Sequence, residues 1–142
     1  MGKGATFDND LLKLIFNATN VTGVADNTVT APLTSLYISL HTADPTSAGN
    51  QSSSEAAYTS YARVAVARTT GGFTVTGNSA SPAAAISFPA CTGGTSVITN
   101  FGVGTAVSGV GKLLYTGTVT PNISVATGVT PQLTTATTIT EA

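Results

Sequence analysis

The sequence predicts an all-β fold, an antiparallel β-sandwich preceded by one short helix. After the first 20 residues, apolar residues alternate with small or polar ones at the period of two that a half-buried strand requires. Turn-forming Gly and Pro residues recur about every 8 to 12 residues, which is the spacing of a sandwich or a barrel. One segment near the N-terminus has helical periodicity instead.

The composition fits one domain that a partner covers. At 142 residues the chain is long enough for one core and too short for two, so we expect a single β-sandwich domain over 1–142, with 1–20 as an N-terminal arm and short helix. Charged residues make up 8% of the chain, against about 25% in an average domain. Between Thr69 and Thr140, Lys112 is the only Asp, Glu, Lys, Arg or His. A surface with so little charge is poorly protected against self-association, and we therefore expect self-association as a dimer or trimer.

The helix prediction covers the segment DLLKLIFNATN. Asp8 or Asp10 can cap it by accepting hydrogen bonds from the first free backbone amides. We expect about three turns, ending near Asn20. The apolar face at helical spacing consists of Leu11, Leu14, Ile15 and Ala18.

The first strand prediction is SLYISLH, with Leu36, Ile38 and Leu40 facing the core. Its other row is Tyr37, Ser39 and His41. The pattern returns in YARVAVAR, GFTVTG, AAISFPA, SVITNFGVG, KLLYTGTV, NISVA and TTATTIT. About eight strands in two facing sheets suggest a jelly roll. An immunoglobulin-like sandwich is the alternative, although the chain lacks the Cys…Trp…Cys spacing of that fold.

The composition argues against several function classes. The net charge is −1 and the few basic residues form no patch, so we expect no nucleic-acid partner. No run of 18 apolar residues is present, so we expect no membrane span. A single cysteine, Cys91, excludes an intramolecular disulfide and an all-cysteine metal cage. We expect Cys91 to be a small buried side chain, and we expect neither a cofactor nor a metal site.

His41, Asp44 and the serines of the following loop are the best candidates for a catalytic site. A histidine that a carboxylate orients and presents to a serine can activate a nucleophile. However, no G-x-S-x-G elbow, second histidine or close carboxylate pair accompanies them. We therefore predict an outward, surface His41, a turn in which Asp44 binds its own backbone, and no enzymatic activity.

Two arginines close this polar region, and they are five residues apart. In a regular strand Arg63 and Arg68 therefore point to opposite faces. One of them can pair with Glu55 or with a carboxylate of a partner.

A series of short phrases in fixed order resembles a known family. SLHTADP comes first, then Glu55 and Tyr58 before YARVAVAR, then FPACTGGT and FGVGTAVSGVGKLLYTGTV. From about Leu36 to Leu133 the chain resembles small structural proteins of tailed bacteriophages that are often labelled phage tail fibre protein, and it is similar to capsid cement, or decoration, proteins. The resemblance implies a jelly-roll sandwich that attaches to the virion, and it includes no catalytic motif.

The resemblance and the composition together suggest a function. We expect a non-enzymatic head cement protein that binds the major capsid protein on the capsid exterior and is made in the cytoplasm of the bacterial host. The alternative is a tail or tail-fibre module that attaches to a host surface. We expect the partner interface to include Phe7, Leu11, Ile15, Tyr58 and Arg63.

Overall fold

A computed structural model describes residues 2–26, 28 and 30–142. Within these residues the chain forms one helix and nine strands. The bounds are α1 Ala5–Asn17, β1 Ser35–His41, β2 Val64–Ala67, β3 Phe73–Thr76, β4 Ser79–Pro82, β5 Ile86–Ser87, β6 Ser96–Gly104, β7 Leu113–Val125, β8 Gln132–Leu133 and β9 Ile139–Thr140. The prediction of an all-β fold with a short N-terminal helix is confirmed.

The strands form antiparallel sheets of four, three and two strands. Their orders are β2-β1-β6-β7, β3-β4-β9 and β5-β8. The sequence predicted two sheets and about eight strands. The difference arises in the C-terminal half, where β5, β8 and β9 are only two residues long and segments rich in Gly, Pro and Thr separate them.

The chain divides into two compact units. Unit 1 comprises Met1–Ser35, Val66–Ala85 and Thr134–Ala142, and unit 2 comprises Leu36–Ala65 and Ile86–Leu133. The single sandwich domain over 1–142 stays a prediction.

In unit 1 the helix α1 packs through a face that differs from the predicted one. The residues that it buries are Asp8, Leu12 and Phe16, while Leu11, Leu14 and Ile15 are partly exposed. The ring of Phe16 meets Phe73 edge to face at a centroid distance of 4.8 Å. The predicted apolar face did not include Leu12 or Phe16, and the packing of the large Phe16 ring against Phe73 decides which side is buried.

The ends of α1 also differ from the prediction. The helix begins after Gly4, with no side-chain cap, and Asp8 lies in the first turn, where its charge suits the helix dipole. It ends at Asn17, and Ala18 adopts a left-handed conformation. The Arg68 guanidinium donates hydrogen bonds of 2.7 Å to the Leu14 and Ile15 carbonyls. Arg68 therefore satisfies carbonyl groups that the end of a helix leaves without partners, and burial lowers its pKa.

In unit 2 the core face of β1 is as predicted. Leu36, Ile38 and Leu40 are at most 2% exposed. Across the sheet, Leu40 lies opposite Phe101 of β6. Gly117 of β7 lies opposite Phe101 in turn, and a Cβ atom there would be 2.6 Å from the ring. The aromatic ring therefore occupies the space that this glycine leaves.

A buried polar layer as the candidate functional site

The second face of β1 is also buried, and it carries polar side chains. Ser39 and His41 are both 0% exposed, so the prediction of an outward, surface His41 was wrong. The loop after β1 folds back over this face: Thr42 N donates to Ser54 O, and Ala56 N donates to Leu40 O, each at 2.8 Å. The loop folds back because of tertiary contacts, and the alternation of side chains within one strand does not predict these contacts.

A glycine on β6 makes room for the polar side chains. Gly102 lies opposite Ser39. A Cβ atom at this position would be 2.7 Å from His41 Nε2 and 2.8 Å from Ser39 Oγ. The layer therefore requires a glycine here, and a glycine inside a strand is the usual mark of such a close approach.

The hydrogen bonds of His41 define its protonation. Nδ1 lies 2.8 Å from Ser53 O, and Nε2 lies 2.8 Å from Ser39 Oγ. Because a carbonyl oxygen only accepts, Nδ1 carries the proton and Nε2 accepts from the Ser39 hydroxyl. Burial lowers the pKa of His41, so this neutral tautomer is the form that the fold stabilises.

A serine that donates to a histidine is the pairing that activates nucleophiles. In this fold, however, both side chains are fully buried, and a substrate has no path to the Ser39 hydroxyl. The other predicted member of a triad lies elsewhere: Asp44 is exposed, and its Oδ1 accepts from Thr46 N at 2.9 Å. The prediction that Asp44 is a turn residue is confirmed. Among the described residues, no cluster of three or more His, Cys, Asp or Glu side chains could hold a metal ion.

Gln51 fastens the loop to the connection between β6 and β7. Its side chain is 0% exposed. Nε2 donates to Tyr37 O at 3.2 Å, and Oε1 accepts from Ala106 N at 2.9 Å. A Cβ atom at Gly104 or at Gly111 would lie within about 2 Å of this side chain, so the two glycines form the slot in which Gln51 sits.

Arg63 and Glu55 form a buried, bidentate ion pair. Arg63 Nε lies 2.7 Å from Glu55 Oε1, and Nη2 lies 2.8 Å from Oε2. The Arg63 side chain is 2% exposed and that of Glu55 is 17% exposed. The hydrogen bonds to Glu55 raise the pKa of Arg63. The prediction that one of the two arginines pairs with Glu55 is confirmed.

Tyr61 belongs to the same network. Its hydroxyl accepts from Leu40 N at 3.0 Å and donates to Glu55 Oε1 at 2.9 Å. Burial raises the pKa of Tyr61 far above its ordinary value. The hydroxyl thus remains protonated and takes the place of a backbone acceptor beside β1.

Arg63 also holds the β6–β7 connection. Nη1 donates to Ala106 O at 2.9 Å, and Nη2 donates to Gly109 O at 2.8 Å. Ser52 Oγ donates to Gly109 O as well, also at 2.8 Å. Within the polar layer, Gln51, Ser52 and Arg63 therefore bind the loop after β1 to the β6–β7 connection. Ser39 and His41 bind each other, and His41 also binds the loop at Ser53.

The structure places the five predicted interface residues in two groups. Phe7 is 42% exposed, and Leu11 and Ile15 are partly exposed on α1. Tyr58 is 3% exposed, and its hydroxyl donates to Pro89 O at 3.0 Å. Arg63 is likewise buried and is bound to its own chain. Only the helix residues therefore present a surface, and their role in an interface stays a prediction.

Cys91 is buried, as predicted, and is 2% exposed. Its thiol donates to Gly93 O at 3.2 Å. Among the residues that the structure describes, no helix is long and apolar enough to cross a membrane.

The ordered phrases of the sequence and a family model point to one class, the structural proteins of bacteriophages. A family model described as Podophage GP4 fiber I protein gp80 matches residues 4–140. Because this match spans nearly the whole chain, the protein belongs to that family. No curated protein matches the chain.

Proposed function

We propose that this protein is a structural subunit of a podophage fibre and that it performs no catalysis. The observation that carries the proposal is the match of residues 4–140 to a family whose description names a fibre protein. The polar layer supports it, because Arg63, Gln51 and His41 all bind groups of their own chain. In this proposal the few buried polar and charged side chains hold the loops in their conformation.

Head cement is the second candidate function. In this role the protein would bind the major capsid protein on the outside of the capsid. The single helix of the described residues is 13 residues long, so a helical coiled-coil stem of the kind that many fibres use has no counterpart there. Many copies that bind only the assembled shell would stabilise it by mass action.

Cryo-electron microscopy of the purified virion distinguishes the two functions. For a fibre subunit we expect density for this fold in fibres alone. Density repeated over the icosahedral head would refute the fibre proposal and support cement. The copy number per particle, measured by quantitative mass spectrometry, provides an independent check because a shell needs far more copies than a fibre.

Attachment to a host surface is a further property that a fibre subunit can have. We expect the isolated protein to adsorb to host cells and to compete with the intact phage for adsorption. A protein that sits in the fibre but neither adsorbs nor competes would be a fibre subunit without a receptor-binding role.

The proposed lack of catalysis is tested at the Ser39–His41 pair. Ser39→Ala removes the one hydroxyl that donates to His41 Nε2. We expect Ser39→Ala virions with a normal copy number of the protein to infect normally. Correctly assembled Ser39→Ala particles that fail to infect would contradict the proposal.

A further inference from the structure

The β6–β7 connection carries two strongly exposed apolar side chains. Val107 is 63% exposed and Val110 is 80% exposed. Scattered apolar side chains on a surface are common and require no function. This connection, residues 105–111, is different because buried polar groups hold its backbone, and we call it the valine tip.

The valine tip is held from inside the protein. Arg63 binds the carbonyls of Ala106 and Gly109, and Gln51 binds the amide of Ala106. These contacts use one of only five basic residues in the chain. A buried ion pair is a weak source of stability by itself, whereas a rigid loop loses less conformational entropy when it binds a partner. The valine tip therefore has the properties of a preformed contact surface.

Unit 1 contains a turn that also carries a strongly exposed valine. It comprises residues 20–26, and we call it the Val24 turn. A backbone bridge between Val21 and Ala25 closes it, and Val21 N donates to Ala25 O at 2.7 Å. Residues 20–26 line an open concavity of about 560 Å³. Val24 is 75% exposed at this turn.

Opposite charges lie beside the two surfaces. Lys112 directly follows the valine tip, and Asp26 ends the Val24 turn, and both are exposed. The Asp26 carboxylate is oriented by Thr28, whose backbone N donates to Oδ1 at 3.1 Å. The same neighbour lowers the pKa of Asp26, so this carboxylate is negative at neutral pH.

We propose that the valine tip of one copy of this chain binds the Val24 turn of a second copy, with Lys112 of the first facing Asp26 of the second. Apolar side chains then meet at the centre of the contact, and opposite charges meet at its rim. The two surfaces are different, so the contact is heterologous and each added copy offers a new tip and a new turn. The inference rests on the proposed function, in which the chain is one subunit of a larger fibre.

Sedimentation velocity of the full chain over a range of concentrations tests the proposal. We expect the mass of the wild-type protein to increase with concentration. Val110→Ser should raise the dissociation constant at least about tenfold, which corresponds to about 1.4 kcal/mol. Lys112→Asp and Asp26→Lys should each weaken association as well, because each places like charges opposite one another.

A mixture of the two charge variants provides the sharpest test. In an equimolar mixture, the tip of each variant meets a turn of opposite charge on the other variant. We therefore expect the mixture to associate, although each variant alone associates poorly. A mixture that sediments like the separate variants would overturn the proposal.

Two exposed residues outside these surfaces serve as controls. Val97 is 52% exposed on β6, and Asp44 is exposed in its turn. Val97→Ser and Asp44→Lys should associate like the wild type, and circular dichroism should show that all variants are folded. A wild-type protein that is monomeric at every concentration, or equal association of Val110→Ser and Val97→Ser, would refute this contact. Neither result would affect the proposed function, which depends on where the protein lies in the virion.

Discussion

Replacing Arg63 with alanine would remove the side chain that joins the loop after β1 to the valine tip. The guanidinium donates to both Glu55 oxygens and to the carbonyls of Ala106 and Gly109, at 2.7 to 2.9 Å. In Arg63→Ala these four acceptors lose the guanidinium, and only Glu55 Oε1 and Gly109 O keep another donor, the hydroxyls of Tyr61 and Ser52. The Glu55 side chain, 17% exposed, keeps its charge without a cationic partner, although its Oε1 still accepts from the Tyr61 hydroxyl.

The expected loss of stability is about 4 kcal/mol. Breaking a buried ion pair by removing one partner costs about 3 to 5 kcal/mol, and each hydrogen bond to a charged group contributes about 1.5 to 3 kcal/mol. The loss stays within the first range because Glu55 is partly exposed and keeps the hydrogen bond from the Tyr61 hydroxyl. Such a loss is a large part of the total stability of about 5 to 15 kcal/mol that a domain has.

Urea denaturation followed by circular dichroism measures this effect. Arg63→Lys retains the charge but cannot reproduce the planar fork, so we expect an intermediate loss of about 2 kcal/mol. Replacing both Arg63 and Glu55 with methionine removes both charges, and this variant should be more stable than Arg63→Ala. The control is Thr127→Ala, at an exposed position outside the proposed contact, which should change stability by less than about 0.5 kcal/mol.

Hydrogen exchange adds a local measurement. The amides of residues 105–111 should exchange faster in Arg63→Ala than in the wild type, since the tip loses two of its anchoring bonds. An Arg63→Ala protein that loses less than about 1 kcal/mol, or that leaves exchange in the tip unchanged, would show that this ion pair does not hold the loops together.

Three other predictions concern the core and the polar layer. Burial lowers the pKa of His41 below 6.5 in the folded protein, so the unfolded chain binds more protons and thermal stability should fall as the pH drops below about 6.5. His41→Gln should lose this pH dependence. A wild-type protein whose stability does not change over this pH range would contradict the prediction. Gly104→Ala places a methyl group about 2 Å from Gln51 and should cost about 1 to 3 kcal/mol in urea denaturation, while a neutral effect would mean that Gln51 moves freely. Phe16→Ala should lower the free energy of unfolding by about 3 to 5 kcal/mol. Its control, Phe7→Ala at an exposed position, should lower it by less than about 0.5 kcal/mol. Equal losses in the two variants would show that α1 is not packed through Phe16.

The local features of the fold were predictable from the sequence. The alternation of Leu36, Ile38 and Leu40 predicts the core face of β1 because a strand places every second side chain on the same side. The turn at Asp44 was predictable because Asp before Pro binds its own backbone. The helix was found within a few residues, but its buried face was not, since that choice depends on the distant Phe73 ring.

The polar layer was only partly predictable. The sequence shows that the rare polar residues gather near β1, and it suggests the pairing of Arg63 with Glu55. The sequence does not show that His41 faces inward. The burial of His41 depends on the loop after β1 folding back over the strand and on hydrogen bonds between distant residues, such as the bond from Arg63 to the Ala106 carbonyl, 43 residues away. The glycines at 102 and 104, on alternate positions of one strand, were the available signal of a close approach.

By itself, the sequence determined a sparsely charged, antiparallel β protein with one N-terminal helix, since hydrophobic period and turn residues are local properties of the chain. Only the tertiary structure decided which polar groups are buried and what they hold. A side chain becomes buried when segments that are distant in sequence pack over it. The hydrogen bonds of His41, Gln51 and Arg63 to their distant partners likewise form only when the loops meet. The contacts of Arg63 and Gln51 also hold the backbone beside the exposed Val107 and Val110.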